Sequence, residues 1–303
     1  MEKTYHFRHI EVCNMCGGDA SKAKSLGMRL DRSQGVNPKA KLGVAVGVAK
    51  CSDCGLIFSQ PMPIPASIHD HYGIPPETYW RDHYFAVEPD YFGIQIDTAK
   101  RLLDFTPGMK ALDIGAGLGK TMVALDRAGF ATWGIEPSVP FRNKALEMNG
   151  ISAERLQNAK VEEAIFEERF FDFITFGAVL EHLYDPAESI ESAMRWLRPG
   201  GIIQIEVPSS GHFMAKLFNL YFMMRGTNYV TNLSPMHAPF HLYEFSLESF
   251  RRHATTAGYS IAHSYFDVAS IHQIPRFLHP LARAWMKRND SGMQLTVYLR
   301  KPG

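Results

Sequence analysis

Four cysteines carry the most specific chemical signal in the chain. Cys13 and Cys16 form one C-x-x-C pair and Cys51 and Cys54 a second, and these are the only cysteines in 303 residues. A two-residue gap lets a tight turn aim two thiolates and its own backbone amides at one ion. Gly17 and Gly55, directly after the pairs, permit the positive φ that such a turn needs. Two such turns make a closed four-thiolate site, structural rather than catalytic, and zinc suits it better than iron because nothing implies electron transfer. The competing readings are two unrelated pairs of buried thiols, or a redox C-x-x-C. A redox motif would need a helix start in a βαβ setting and would leave the duplication unexplained.

The second signal is Asp113-Ile114-Gly115-Ala116-Gly117-Leu118-Gly119, which ends a strand pattern and opens a helical one. Glycines let a ligand approach the backbone, and a helix N-terminus offers unpaired N–H groups. A dinucleotide fingerprint would need glycine where Lys120 stands. A P-loop read from Gly119-Lys120-Thr121 would need glycine at Ile114. Both fail, leaving D-x-G-x-G-x-G. Glu136 closes the next strand, in TWGIEPS, where a carboxylate can accept both hydroxyl protons of a ribose.

Positioning these groups requires a particular order of elements. Strand patterns fall at 111–114, 131–135, 171–176, 202–207, 261–266 and 295–299, and helical patterns at 120–128, 141–148, 187–197 and 247–257. This alternation predicts a mainly parallel sheet covered on both faces, with ligands at the carboxyl ends of the strands. The long connection before the last strand suits an antiparallel strand at the sheet edge. PMPIP reads as an extended linker, so residues 1–60 are expected to form the ribbon, 61–92 a connector or lid, and 93–303 the main domain with an insertion at 209–245.

With these motifs in place the chain resembles the class I methyltransferases that use S-adenosylmethionine, and more narrowly a bacterial branch with an N-terminal zinc ribbon. The likeness is carried by the two C-x-x-C-G knuckles, LDIGAGLGK, GIEPS, FDFITFGAVLEHLYDP and LRPGGIIQIEVPS. It implies an α/β fold, a Rossmann-like seven-stranded class I methyltransferase sheet with a small N-terminal zinc ribbon. It also implies that Asp113, Gly115, Gly117 and Gly119 form the cofactor loop, that Glu136 holds the ribose, that Gly177 and Ala178 line the methionine end, and that Glu162 lies near the adenine. Ubiquinone-type O-methyltransferases, similar around VLEHL, can place a metal on a glutamate where this chain has Ala178, which argues against a catalytic metal. Sugar C-methyltransferases that share the ribbon have Glu-His shortly before Phe-Ser-Leu, where this chain has Phe240-His241 before Phe245-Ser246-Leu247.

Methyl transfer from a sulfonium is an in-line displacement, so the protein must align an acceptor, exclude water and, for a hydroxyl of high pKa, take its proton. His182, just past the fourth strand, is the first candidate base; its rival reading is that Glu181 and His182 brace a helix. In the insertion His237 and His241 are four apart, but Pro239 between them argues for a loop rather than a metal pair. His241, with Tyr243 and Glu244, is the second candidate. The apolar run HFMAKLFNLYFMM reads equally as a lid, a dimer face or core packing.

Composition bounds the rest. Lys and Arg total 32 against 31 Asp and Glu, so no global field recommends nucleic acid or an anionic membrane, although a local basic patch stays open. No apolar run approaches the roughly 18 residues of a membrane span, and the start MEKTYHFRHIEVC lacks an apolar h-region. The expectation is a cytoplasmic enzyme with structural zinc that methylates a small-molecule acceptor, a hydroxyl of a sugar or secondary metabolite, with no membrane partner. A sugar C-methyltransferase and a zinc-ribbon RNA-binding or RNA-modifying protein are the rivals.

Overall fold

A computed structural model of the chain describes residues 5–29, 44–66, 86–233, 241–268, 271 and 274–303. His237 and most of the expected connector lie outside the described residues. In chain order the strands are β1 (Tyr5–Arg8), β2 (Lys24–Arg29), β3 (Gly47–Lys50), β4 (Ile57–Gln60), β5 (Met62–Pro65), β6 (Lys110–Ile114), β7 (Ala131–Ile135), β8 (Leu156–Gln157), β9 (Phe171–Gly177), β10 (Leu197–Pro208), β11 (Tyr229–Val230), β12 (Tyr243–Glu244), β13 (Ser260–Asp267) and β14 (Gln294–Arg300). The helices are α1 (Gly93–Leu103), α2 (Lys120–Arg127), α3 (Val139–Asn149), α4 (Pro186–Trp196), α5 (Phe213–Met224), α6 (Leu247–Ala257) and α7 (His279–Arg288).

Seven strands form one sheet in the order β13-β14-β10-β9-β6-β7-β8, the seven-stranded Rossmann-like sheet that the resemblance implies. Neighbours from β10 to β8 run parallel, and β14 runs antiparallel to both β10 and β13. The centre of the sheet is covered on both faces, since β6, β9 and the Gly201–Ile205 stretch of β10 are buried at nearly every position, with apolar residues predominating. The last strand is antiparallel as expected but is not at the edge. Leu295 to Leu299 are all buried and need cover on both sides, whereas β13 has no fully buried residue and tolerates the edge.

Helix boundaries follow their caps. Ser138, Asp185 and Ser246 accept from the first-turn amides of α3, α4 and α6, and Gly150 and Gly258 end α3 and α6 in the left-handed region. Helix α2 differs: it starts at Gly119 with no side-chain cap, directly after β6. Its N-terminus therefore lies at the carboxyl edge of the sheet, where unpaired first-turn N–H groups can meet a ligand.

The N-terminal part is tied to this sheet by a second one. β2, β3 and β4 pair antiparallel, and the insertion adds a strand at each side, giving the order β11-β2-β3-β4-β12. PMPIP, expected to be a linker, is extended but paired, with β5 running antiparallel to β1. Ile10, Leu56 and Phe58 share one apolar core with Leu197, Phe250 and Tyr259. Among the described residues no helix is long and apolar enough to cross a membrane.

Candidate functional site

The cysteines come together. Gly17 N–H donates to Cys13 O at 2.9 Å and Gly55 N–H to Cys51 O at 3.1 Å. Cys13 N–H reaches Gly18 O and Cys51 N–H reaches Leu56 O, both at 2.8 Å. The two knuckles therefore have the same turn, and Gly17 and Gly55 have φ of 71° and 75°. Sγ of Cys13 lies 3.6 Å from Sγ of Cys54, Sγ of Cys16 lies 3.6 Å from Sγ of Cys51, and all four fall within 4.8 Å of one another. A tetrahedron with metal–sulfur bonds of about 2.3 Å has edges of about 3.8 Å, so the donor set suits one zinc ion with little movement.

The glycine loop and its carboxylate build one wall of a cavity of about 990 Å³. That is the upper end of the roughly 300–1,000 Å³ of small-molecule sites, room for a nucleoside-sized ligand and an acceptor together. Asp113, Gly115, Gly117, Glu136, Glu162, Gly177 and Ala178 all line it. Gly119 does not. Its φ is 72°, and an added Cβ would sit 2.1 Å from Cδ1 of Ile151, so Gly119 lets α2 start and pack. Gly117, with φ of 54°, faces room: an added Cβ would meet only a Phe141 ring carbon at 4.0 Å.

Glu136 does more than wait for a ribose. Its Oε2 accepts from Gly117 N–H at 2.7 Å and its Oε1 from Ser138 N–H at 2.8 Å, so it fixes the loop it faces. Each carboxylate oxygen still has a lone pair for a ligand hydroxyl. Burial pushes Glu136 up to about 7 despite the two N–H donors. Burial and then the charge of Glu136 push Asp113 well above the usual carboxylate range, and Oδ2 of Asp113 has no hydrogen-bond partner among the described residues. These features fit a cofactor that brings a diol and a positive charge, since either favours the ionised carboxylates.

At the other wall stand Glu181, His182 and His241. His182 ends the turn Leu180–His182 after β9, and Leu242 N–H donates to Glu181 O at 2.8 Å, sewing the segment of His241 beside that turn. Oε1 of Glu181 lies 4.0 Å from Nε2 of His182 and 3.9 Å from Nε2 of His241. The imidazoles meet edge to face with centroids 4.9 Å apart. Glu181 is pushed up to about 8, by burial first and then by the charge of Glu206, and its Oε2 has no partner among the described residues. The three donor atoms lie within 4.8 Å of one another, an arrangement that can pass a proton or take a divalent ion.

The two histidines that sequence reasoning treated as separate candidates thus share one carboxylate. In the sequence Glu181 enters only through the rival reading in which it and His182 brace a helix, and nothing there points to Glu206 and Gln95, which are joined by a 3.1 Å hydrogen bond in the cavity wall. Tyr243 and Glu244 do not join the site. The Tyr243 hydroxyl donates to Tyr184 O at 3.1 Å, and Glu244 accepts from Asn232 Nδ2 and Leu233 N–H, both at 2.6 Å, because β12 turns them into the core.

Comparison with known proteins agrees with this geometry. Residues 90–264 match the family described as methyltransferase domain. Demethylmenaquinone methyltransferase of Staphylococcus aureus is 32% identical over 101 residues, 32% of this chain and 42% of the relative. Ubiquinone biosynthesis O-methyltransferase of Klebsiella pneumoniae is 33% identical over 98 residues, 31% of this chain and 40% of the relative. The chain thus spans about two fifths of the length of these relatives. Among solved structures, Haemonchus contortus phosphoethanolamine N-methyltransferase 2, in complex with S-adenosyl-L-methionine, is similar at 18% identity. The TM-score is 0.49, covering 82% of this chain and 64% of that one.

Proposed function

The chain belongs to the methyltransferase-domain family, and from that premise we propose that it methylates a hydroxyl of a small molecule, a sugar or secondary metabolite, with S-adenosylmethionine as donor. One observation carries the reading: the glycine loop with Glu136 and the Glu181–His182–His241 cluster line the same cavity. The names of the relatives, a ubiquinone biosynthesis O-methyltransferase and a demethylmenaquinone methyltransferase, support a small-molecule acceptor.

When bound, the cofactor supplies a methyl group on a positively charged sulfur. Glu136 holds the ribose hydroxyls, Glu162 lies on the adenine side, and Asp113, Gly115, Gly117, Gly177 and Ala178 form the wall along the methionine part. Gly119 supports the loop from behind. His182 or His241 takes the acceptor proton, and Glu181, buried beside both rings, stabilises the resulting imidazolium or receives the proton itself. A carboxyl group pushed up to about 8 does either only when ionised, in the fraction of molecules that grows as pH rises toward and past 8; once ionised it is a far stronger base than an ordinary surface carboxylate.

The four cysteines hold a structural zinc ion that fastens the β2–β4 sheet beside the cavity. The test of the catalytic reading is single-turnover kinetics of His182→Ala and His241→Ala with a hydroxylated acceptor, with and without chelator. Loss of turnover at unchanged cofactor affinity supports it. Full activity in both variants, or turnover that depends on an added divalent ion, overturns the base assignment.

A further inference from the structure

Among the exposed large apolar side chains, Leu217, Leu220, Tyr221, Met223 and Met224 lie on α5, and Leu281 and Trp285 on α7. On α5, Leu217, Leu220, Tyr221 and Met224 stand at positions i, i+3, i+4 and i+7, one continuous stripe, and all are exposed, Met224 to 71%. The opposite side of α5 packs inward: Met214 shares an apolar cluster with Ala282 and Met286 of α7. On α7, Leu281 is 71% and Trp285 54% exposed, and Phe277 just before it is 79% exposed. The Phe213 ring, one turn before Leu217, lies 6.4 Å from the Trp285 ring and joins the two stripes.

Charge selects what covers this face. Segments 213–225 and 276–288 contain no acidic residue, yet they carry Lys216, Arg225, Arg276, Arg283, Lys287 and Arg288, all exposed, in a chain whose formal net charge is +1. An isologous contact with a second copy would set these cations against themselves. A helix pair that exposes Trp, Phe and Leu among Lys and Arg, free of carboxylates, has the chemistry of a surface that lies in the headgroup region of an anionic bilayer.

We propose that the α5–α7 face docks peripherally on anionic lipid. The helices sit at the sheet edge that bears the cavity. α5 follows the carboxyl end of β10, where Glu206 lines the cavity, and α7 precedes Gln294, which lines it from the start of β14. Docking sets this edge against the bilayer, so the acceptor class narrows to small molecules carried by lipid. This refinement rests on the methyltransferase reading; the docking itself does not.

The experiment is co-sedimentation of the full-length protein with vesicles of pure phosphatidylcholine and of phosphatidylcholine with phosphatidylglycerol, at low and high salt. Binding is expected only with phosphatidylglycerol and should weaken as salt rises. Leu220→Glu with Met224→Glu, and Leu281→Glu with Trp285→Glu, should each weaken it by about tenfold or more. Arg283→Gln with Lys287→Gln should remove much of the salt dependence while circular dichroism and S-adenosylhomocysteine affinity stay unchanged. Equal binding to both vesicle types, no binding to either, or full binding by the glutamate variants overturns the proposal. A concentration-dependent dimer that the glutamate variants dissolve also overturns it, assigning the face to a second copy. Cofactor affinity in the same variants is a separate readout, so failure of the docking and failure of the methyltransferase reading are distinguishable.

Discussion

Removing the Glu136 carboxylate probes the cofactor site at the point where sequence and geometry meet. Its two oxygens hold Gly117 N–H at 2.7 Å and Ser138 N–H at 2.8 Å while facing the cavity. A hydrogen bond to a charged acceptor contributes about 1.5–3 kcal/mol, so loss of even one ribose hydroxyl contact in Glu136→Ala should weaken S-adenosylhomocysteine by at least roughly 10- to 150-fold. Release of the Gly117 loop adds to that loss. Glu136→Gln should resemble Ala rather than wild type, because its amide group must point at either Gly117 N–H or Ser138 N–H, donor against donor.

The pH dependence has a definite sign. The folded carboxyl titrates at about 7 against 4.5 without the fold's influence, so it stabilises the fold fully below pH 4.5, and that contribution is lost as pH rises toward 7. Cofactor affinity runs the opposite way, since only the ionised carboxylate accepts from both ribose hydroxyls. Wild-type affinity should rise from pH 6 to pH 8, and the Ala variant should lack this rise while its stability varies less with pH. Calorimetry at both pH values, with thermal melts in parallel, reads both quantities. An Ala variant that binds within twofold of wild type at pH 8, folded, would refute the reasoning.

The zinc reading predicts one zinc per chain by elemental analysis. Cys51→Ser should unfold the ribbon before the main sheet, because structural zinc contributes about 10–16 kcal/mol apparent to small metal modules. His182→Ala or His241→Ala should lower turnover by about 10²–10⁴-fold with cofactor affinity unchanged, and Glu181→Gln, which removes the carboxyl group pushed up to about 8, should remove the inflection near that pH from the pH–rate profile. Gly119→Ala should destabilise the fold by at least about 1–2 kcal/mol, seen as a lower melting temperature, since its left-handed φ and the Ile151 contact both oppose a Cβ. A Gly119→Ala protein that melts with wild type would mean the loop relaxes freely.

Sequence carried the site further than it carried the periphery. The D-x-G-x-G loop and Glu136 were legible because strand, turn and helix follow one another within a few residues, so local pattern already fixes their relation. The cysteine pairs were legible because their chemistry demands a common partner. The Glu181–His182–His241 cluster was not. It depends on the long-range Leu242 N–H to Glu181 O bond, and no local period announces that residue 241 returns to residue 181. The place of the last strand was misjudged because an apolar run such as LTVYL shows burial on both faces but not which neighbour supplies the cover. Helix α5 was read only as an apolar run because its stripe faces outward, and periodicity does not tell a core-facing stripe from an exposed one.

The central claim is that this cavity binds S-adenosylmethionine through the loop and Glu136. Calorimetric titration of the purified protein with S-adenosylmethionine, S-adenosylhomocysteine and NAD tests it most directly. The account predicts one site per chain for the first two, weakened in Glu136→Ala, and none for NAD. Binding of NAD with no binding of either sulfur compound would contradict it.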